Sequence, residues 1–282
     1  MLSVIVLVVW LGQAAGHEAI NPPFRALLTQ GVSVGERKLP IMPPKMADGL
    51  DAKGQLAVLR EVAGREYDVE ELLRESKVAP QVIRIRDVAG GPADAPWRAV
   101  DVYFVAYGKL DTAADAEFLE RFLTSNRKGN SAKTITAAEL ARRKLPARQL
   151  KNEGTGYLSF DFLDRVRLSV VGHSCWSRTD QSIVAAAYID PAFNADPEYP
   201  NQWQAIQKDG DTVKLGKPSV YSAAGLYLKI TELVEPKGAL FVEAHAVFAE
   251  PEGWFDGANL LRSRLPAVIQ NNVRQMRDRL RK

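Results

Sequence analysis

From Tyr157 to Phe248 the chain reads as a series of strands, several of them joined by turns too short to cross over, and this restricts the fold more than any other feature. Tyr157–Leu163, Arg165–Trp176, Ile183–Ile189, Trp203–Gln207, Thr212–Leu215, Leu226–Val234 and Ala239–Phe248 carry the alternation or apolar density of strands. Arg178-Thr-Asp-Gln-Ser182, Lys208-Asp-Gly210 and Glu235-Pro-Lys-Gly238 have the composition of hairpin turns. Strands joined in this way pair antiparallel, because parallel neighbours need a long crossover. A parallel sheet with alternating helices does not fit this pattern.

The first half supplies helices and one more hairpin. Gln81-Val-Ile-Arg-Ile-Arg-Asp-Val88 alternates with period two, Gly90-Gly91-Pro92 turns the chain, and Trp97–Tyr107 reads as the return strand. Leu56, Leu59, Val62 and Ala63, then Val69, Leu72 and Leu73, predict two short helices broken at Gly64. Asp111 or Thr112 caps a predicted helix through Glu117, Phe118 and Phe122, and Thr124–Asn130 reads as a loop. Thr136 and Glu139 have capping-box spacing. Between His17 and Ala52, Pro22-Pro23, Pro40 and Pro43-Pro44 predict an extended, irregular arm with one short helical turn.

The clearest helix is the last. Leu261, Leu265, Val268, Asn272, Met276 and Leu280 fall on one stripe, widened by Ile269 and Val273. Its other face carries Arg262, Arg264, Arg274, Arg277, Arg279, Arg281 and Lys282 against Asp278. Such a face is either simply solvated or a surface for anionic lipid or an acidic protein, where each cation contributes about 1 kcal/mol. Over the whole chain, 37 Lys+Arg against 34 Asp+Glu leaves only +3, so net charge gives no reason to expect nucleic acid as a partner.

At the other end, Leu2–Leu11 is an apolar run too short to span a bilayer, and small residues follow it at Ala14-Ala15-Gly16. This is the pattern of a signal peptide over 1–16, cut after Gly16, which implies a secreted or periplasmic protein. A basic residue ahead of the run, usual in such signals, is missing. The organisation expected is therefore a signal at 1–16, a Pro-rich arm at 17–52 and one α+β domain at 53–282.

Catalytic and metal chemistry find little support. Gly172-His-Ser-Cys-Trp176 resembles a nucleophile elbow, but Trp176 stands where glycine is needed, and a turn and more strand follow where a helix should. His173 and Cys175 share one strand face side by side, a poor arrangement for a dyad. The lone Cys175 forbids an intramolecular disulfide and a Cys-rich zinc site. His245 and Glu243 could join His173 and Cys175 in a mixed site only if their strands were neighbours. No catalytic residue, metal or cofactor is assigned. Asp101 interrupts the expected inner strand beside Tyr103 and Tyr107. An acid buried there needs a partner, and Arg84 or Arg86 on the adjacent strand is the obvious one; a polar group in a ligand cavity is the other reading.

Leu240–His245, then Glu250-Pro-Glu-Gly-Trp254, Pro266 and a long helix ending in Arg and Leu form a pattern that resembles START-type lipid-transfer domains. The order of elements is similar to that helix-grip architecture as well. The resemblance implies a curved antiparallel sheet with the C-terminal amphipathic helix packed across it, and a hydrophobic cavity between them. On that basis Val100, Val102, Phe104, Leu265, Val268, Ile269 and Met276 are the candidate ligand-binding residues, and the ligand is an apolar or amphipathic, lipid-like molecule. Asp101, Tyr103 and Tyr107 are the alternative set, on the opposite strand face. Two rival functions stay open: an envelope interaction module with a filled core and a basic docking helix, and a secreted hydrolase.

Overall fold

The computed structural model describes residues 16–92, 95–115, 131–209, 212–255 and 260–281. The expected signal segment at 1–15, the predicted helix through Glu117, Phe118 and Phe122, the loop at 124–130, Gly210 and Lys282 lie outside them.

The elements in chain order are α1 (His17–Ile20), α2 (Pro22–Gln30), β1 (Val32–Val34), β2 (Arg37–Leu39), α3 (Ala52–Ala63), α4 (Val69–Leu72), β3 (Gln81–Val88) and β4 (Trp97–Tyr107). There follow α5 (Leu110–Ala113), β5 (Ser131–Thr134), α6 (Ala137–Arg142), β6 (Glu153–Phe162), β7 (Val166–Arg178) and β8 (Ser182–Ile189). The chain continues with β9 (Gln202–Asp209), β10 (Thr212–Leu215), β11 (Ser219–Val220), β12 (Ala224–Glu232), β13 (Ala239–Ala249) and α7 (Leu260–Leu280). Thr136 and Glu139 form the capping box at the start of α6.

All strand pairs are antiparallel. The large sheet runs β5-β6-β7-β8-β12-β13-β4-β3, with the β9–β10 hairpin and β11 branching from the start of β7. The two outer strands β3 and β5 do not meet, so the sheet is not closed. One face is spanned by α7, whose Leu261, Leu265, Val273, Met276 and Leu280 are buried. This is the α+β, helix-grip arrangement expected.

The basic face of α7 is smaller than its sequence suggests. Arg277 is buried: its Nε donates to Val105 O (2.9 Å), Nη1 to Ala79 O (2.6 Å) and Nη2 to Pro80 O (2.9 Å). It sits over the Phe104 ring, and burial lowers its pKa to about 10, so it stays charged at neutral pH. It ties the helix to the start of β3. Arg262 and Arg281 are paired with Asp87 and Glu75.

The arm departs most from expectation. It forms a second layer on the other face of the sheet. Pro22 and Pro23 occupy the first turn of the nine-residue α2, where a missing N–H costs nothing, and Asn21 caps that helix by accepting from Phe24 N (3.0 Å). A β-carbon on Gly225 would stand 2.6 Å from Leu27 Cδ2 and Val32 Cγ2, so glycine there lets α2 and β1 approach β12. His17, the first residue after the expected cleavage point, is buried, with Nδ1 2.8 Å from Ser177 Oγ and Nε2 2.7 Å from Ser182 Oγ. Burial, more than the nearby Lys229, lowers its pKa to about 4.

Residues 42–48 are held to the same face by polar contacts. Glu243 accepts from Lys45 N (2.7 Å) and Met46 N (3.2 Å), Tyr227 donates to Met42 O (2.7 Å), and Lys229 donates to Met46 O (2.7 Å). Asp101 lies in this layer between His245 (2.8 Å) and Arg86 (3.0 Å). Its partner is thus the arginine diagonal to it, while Arg84, directly opposite, donates to Val62 O (2.8 Å). Asp101 and Tyr103 belong to this packed layer, which favours the structural reading of the acid over the alternative ligand set.

Candidate ligand cavity

Strand alternation decides which side chains face α7. On β4 these are Val100, Val102 and Phe104; on β13, Ala244, Ala246 and Phe248; on β12, Leu226 and Leu228. On β7 they are Leu168, Val170, Gly172, Ser174 and Trp176, and on β6, Gly154, Gly156, Leu158, Phe160 and Phe162. The middle of this floor has almost no side-chain volume. Gly156 stands opposite Gly172, Gly154 opposite Ser174, and Ala187 of β8 on the other side of Ser174. A helix resting on the larger residues around such a floor cannot fill the space above it.

The result is a predominantly apolar cavity of about 740 Å³ between sheet and helix, within the roughly 300–1,000 Å³ range of small-molecule sites. From the helix side Leu265, Ile269, Asn272, Val273 and Met276 line it. Toward the start of α7 the wall is aromatic: Phe162, Phe248 and Trp254 lie with ring centroids 5.7–6.3 Å apart, and Tyr221 is 5.0 Å from Trp254.

Of the seven residues singled out from the sequence, Val100, Val102, Phe104, Leu265, Ile269 and Met276 are on this wall. Val268 is not: it is half-buried and packs against the core beside the cavity. Helix rotation of about 100° per residue leaves it at the edge of the stripe. Sequence reasoning weighed Gly172, Ser174 and Trp176 only as a nucleophile elbow, and passed over Asn152 and the other floor glycines and alanines. Same-face spacing of small and polar residues along β7, at Gly172, Ser174 and Trp176, was the available signal.

The other candidate chemistry separates. Ser174 faces the cavity, while His173 and Cys175 face the opposite layer. There His173 lies 2.9 Å from Tyr188 Oη and 2.7 Å from Glu153 Oε1. Burial pushes the Cys175 thiol up to about 12 and, outweighing the other influences, holds His173 below its ordinary range. β7 and β13, which would have to be neighbours for the mixed metal site, are separated by β8 and β12. Among the described residues no group of three or more His, Cys, Asp and Glu is placed to hold a metal ion.

No protein-family model matches the chain, and no curated protein sequence does. Among solved structures it is similar to human STARD10, at 13% identity over 83% of each chain with a TM-score of 0.38. It is also similar to the human StarD13 (DLC2) lipid transfer and protein localization domain, at 8% identity over 76% of this chain and 96% of that one, TM-score 0.37. A third is an uncharacterized protein from Rhizobium leguminosarum, at 12% identity over 66% of this chain and 98% of that one, TM-score 0.33. By its own strand order and the placement of α7 across the sheet, the chain has a START-like helix-grip fold.

Proposed function

We propose that this protein holds an apolar or amphipathic, lipid-like ligand in the cavity between the sheet and α7. The observation that carries this reading is the glycine and alanine floor. A sheet whose central strands present Gly154, Gly156, Gly172, Ala187, Ala244 and Ala246 toward a helix leaves an apolar space of ligand size. Val100, Val102, Phe104, Leu265, Ile269 and Met276 would contact the apolar body of the ligand, and the flexible thioether of Met276 suits a wall that adapts to its contents. The rival module with a filled interior needs packed side chains where the cavity lies. Its docking helix also loses Arg277 to burial.

Titration with Nile red, an uncharged dye that brightens in apolar surroundings, tests the reading. Saturable uptake of one dye per chain is expected. Emission no brighter than in a protein-free control would contradict it.

Export by cleavage after Gly16 belongs to the same proposal, supported by the apolar run Leu2–Leu11 and the small residues before the cut. Intact-mass measurement of protein from a secreted or periplasmic fraction should give a chain beginning at His17. Soluble protein that keeps Met1 would contradict it.

A further inference from the structure

We propose that Ser174 and Trp176, with Asn152 beside them, are the hydrogen-bonding anchor for a single neutral polar group, a hydroxyl or carbonyl, on an otherwise apolar ligand. This rests on the ligand-holding reading above and narrows its ligand class.

Ser174 and Trp176 are two residues apart on the cavity face of β7, and both are half-buried. The backbone N–H of Trp176 donates to Asn152 O (3.1 Å), which brings Asn152 to the same edge of the floor. Around them the floor offers only Gly154 and Ala187 as direct neighbours of Ser174. The Ser174 hydroxyl, the Trp176 indole N–H and the Asn152 side-chain amide line the cavity and make no hydrogen bond to any described residue. Together they supply donors and acceptors but no charge.

Apart from the Trp254 indole N–H, which is uncharged and buried without a partner in the aromatic wall, the other polar side chains around the cavity are already committed or lie at its mouth. Tyr221 donates to Ala249 O (3.1 Å), Tyr227 donates to Met42 O (2.7 Å), and Tyr188 and Glu153 are both bonded to His173. Lys133 is paired with Glu139 (3.0 Å), and Thr134, Lys151 and Asn272 are exposed. An ionised headgroup drawn onto the floor would leave water without gaining a counter-charge, which is strongly unfavourable. A hydroxyl or carbonyl would gain partners at Ser174, Trp176 and Asn152 and would also satisfy theirs.

Isothermal titration with 1-decanol, decane and decanoate at neutral pH tests this on the wild-type chain, Ser174→Ala and Ser174→Thr. Removing the Ser174 hydroxyl disturbs no hydrogen bond within the protein, so Ser174→Ala should fold normally. Wild-type protein should bind decanol about five- to tenfold more tightly than decane, the worth of one net hydrogen bond, and more tightly than decanoate. Ser174→Ala should narrow the decanol preference while leaving decane unchanged, and Ser174→Thr should restore most of the difference. Equal binding of all three probes, preference for decanoate, or a decanol preference undiminished by Ser174→Ala would overturn the anchor and leave the cavity reading standing. If none of the three binds, both fall.

Discussion

Replacing Gly172 by phenylalanine is expected to weaken ligand binding at least tenfold while leaving the fold more stable than wild type. Gly172 lies inside β7 on the cavity floor, and an added β-carbon meets only Tyr188 O at 3.8 Å and Gly156 O at 4.0 Å, ordinary contacts with the cavity beyond. Glycine within a strand is destabilising by roughly 0.5–1 kcal/mol relative to alanine, and a buried phenyl ring adds about 1.5–3 kcal/mol. The urea midpoint should therefore rise. The same ring occupies space the ligand needs. Losing about 60 Å² of apolar contact, at about 25 cal/mol per Å², already corresponds to about tenfold in affinity. Most substitutions that damage a binding site in a protein core also damage the fold. Opposite signs for stability and binding would distinguish a ligand cavity from a packed interior, where a phenylalanine at 172 would overpack the core and lower the midpoint.

Glu243→Ala should give the largest loss of stability, about 3–5 kcal/mol, the usual consequence of removing one member of a buried charged group. The Glu243 side chain is fully buried, accepts from two backbone N–H groups of the arm and lies 3.4 Å from His245 Nε2. Its loss leaves Lys45 N, Met46 N and His245 without that partner. Glu243→Gln, which keeps an acceptor oxygen, should be milder. Equilibrium urea unfolding checks both, and an Ala variant within about 1 kcal/mol of wild type would show that the arm is not held through Glu243.

The same cluster sets a pH dependence. Burial alone would lower the His245 pKa, but hydrogen bonds to Asp101 and Glu243 outweigh it and hold the imidazole above its ordinary range. A pKa raised in the folded state stabilises fully below the unfolded value near 6.5, and this contribution is lost as pH rises through the folded value. Without Glu243 one of the groups raising it is gone. The alkaline loss due to His245 begins near the unfolded value in both proteins and should be complete at a lower pH, and be smaller, in Glu243→Ala than in wild type.

What could be read in the sequence was local. The strand and helix periods placed β3, β4, β7, β12, β13 and α7 close to their observed bounds, and the Thr136–Glu139 capping box is present as spaced. What could not be read depends on contacts between distant residues. Met46 and Glu243 are 197 residues apart, so the polar latch that makes the arm a layer leaves no mark in either segment alone. Prolines at 22 and 23 suggested irregular chain because their favourable place in a first helical turn depends on Asn21 acting as a cap. Gly154, Gly156 and Gly172 taken singly say only that a strand is weakened there, and only the pairing of Gly156 with Gly172 turns them into a floor. Arg277 belonged to a basic stripe by sequence, yet four backbone carbonyls of other segments take it inside.

The central claim is that the space beneath α7 holds an apolar ligand. Organic-solvent extraction of the purified full chain followed by mass spectrometry tests it most directly, with Gly172→Phe purified in parallel as the control. One class of apolar compound is expected near one equivalent per wild-type chain and strongly depleted in the variant. Wild-type extracts with no apolar compound above the level of the variant would contradict it.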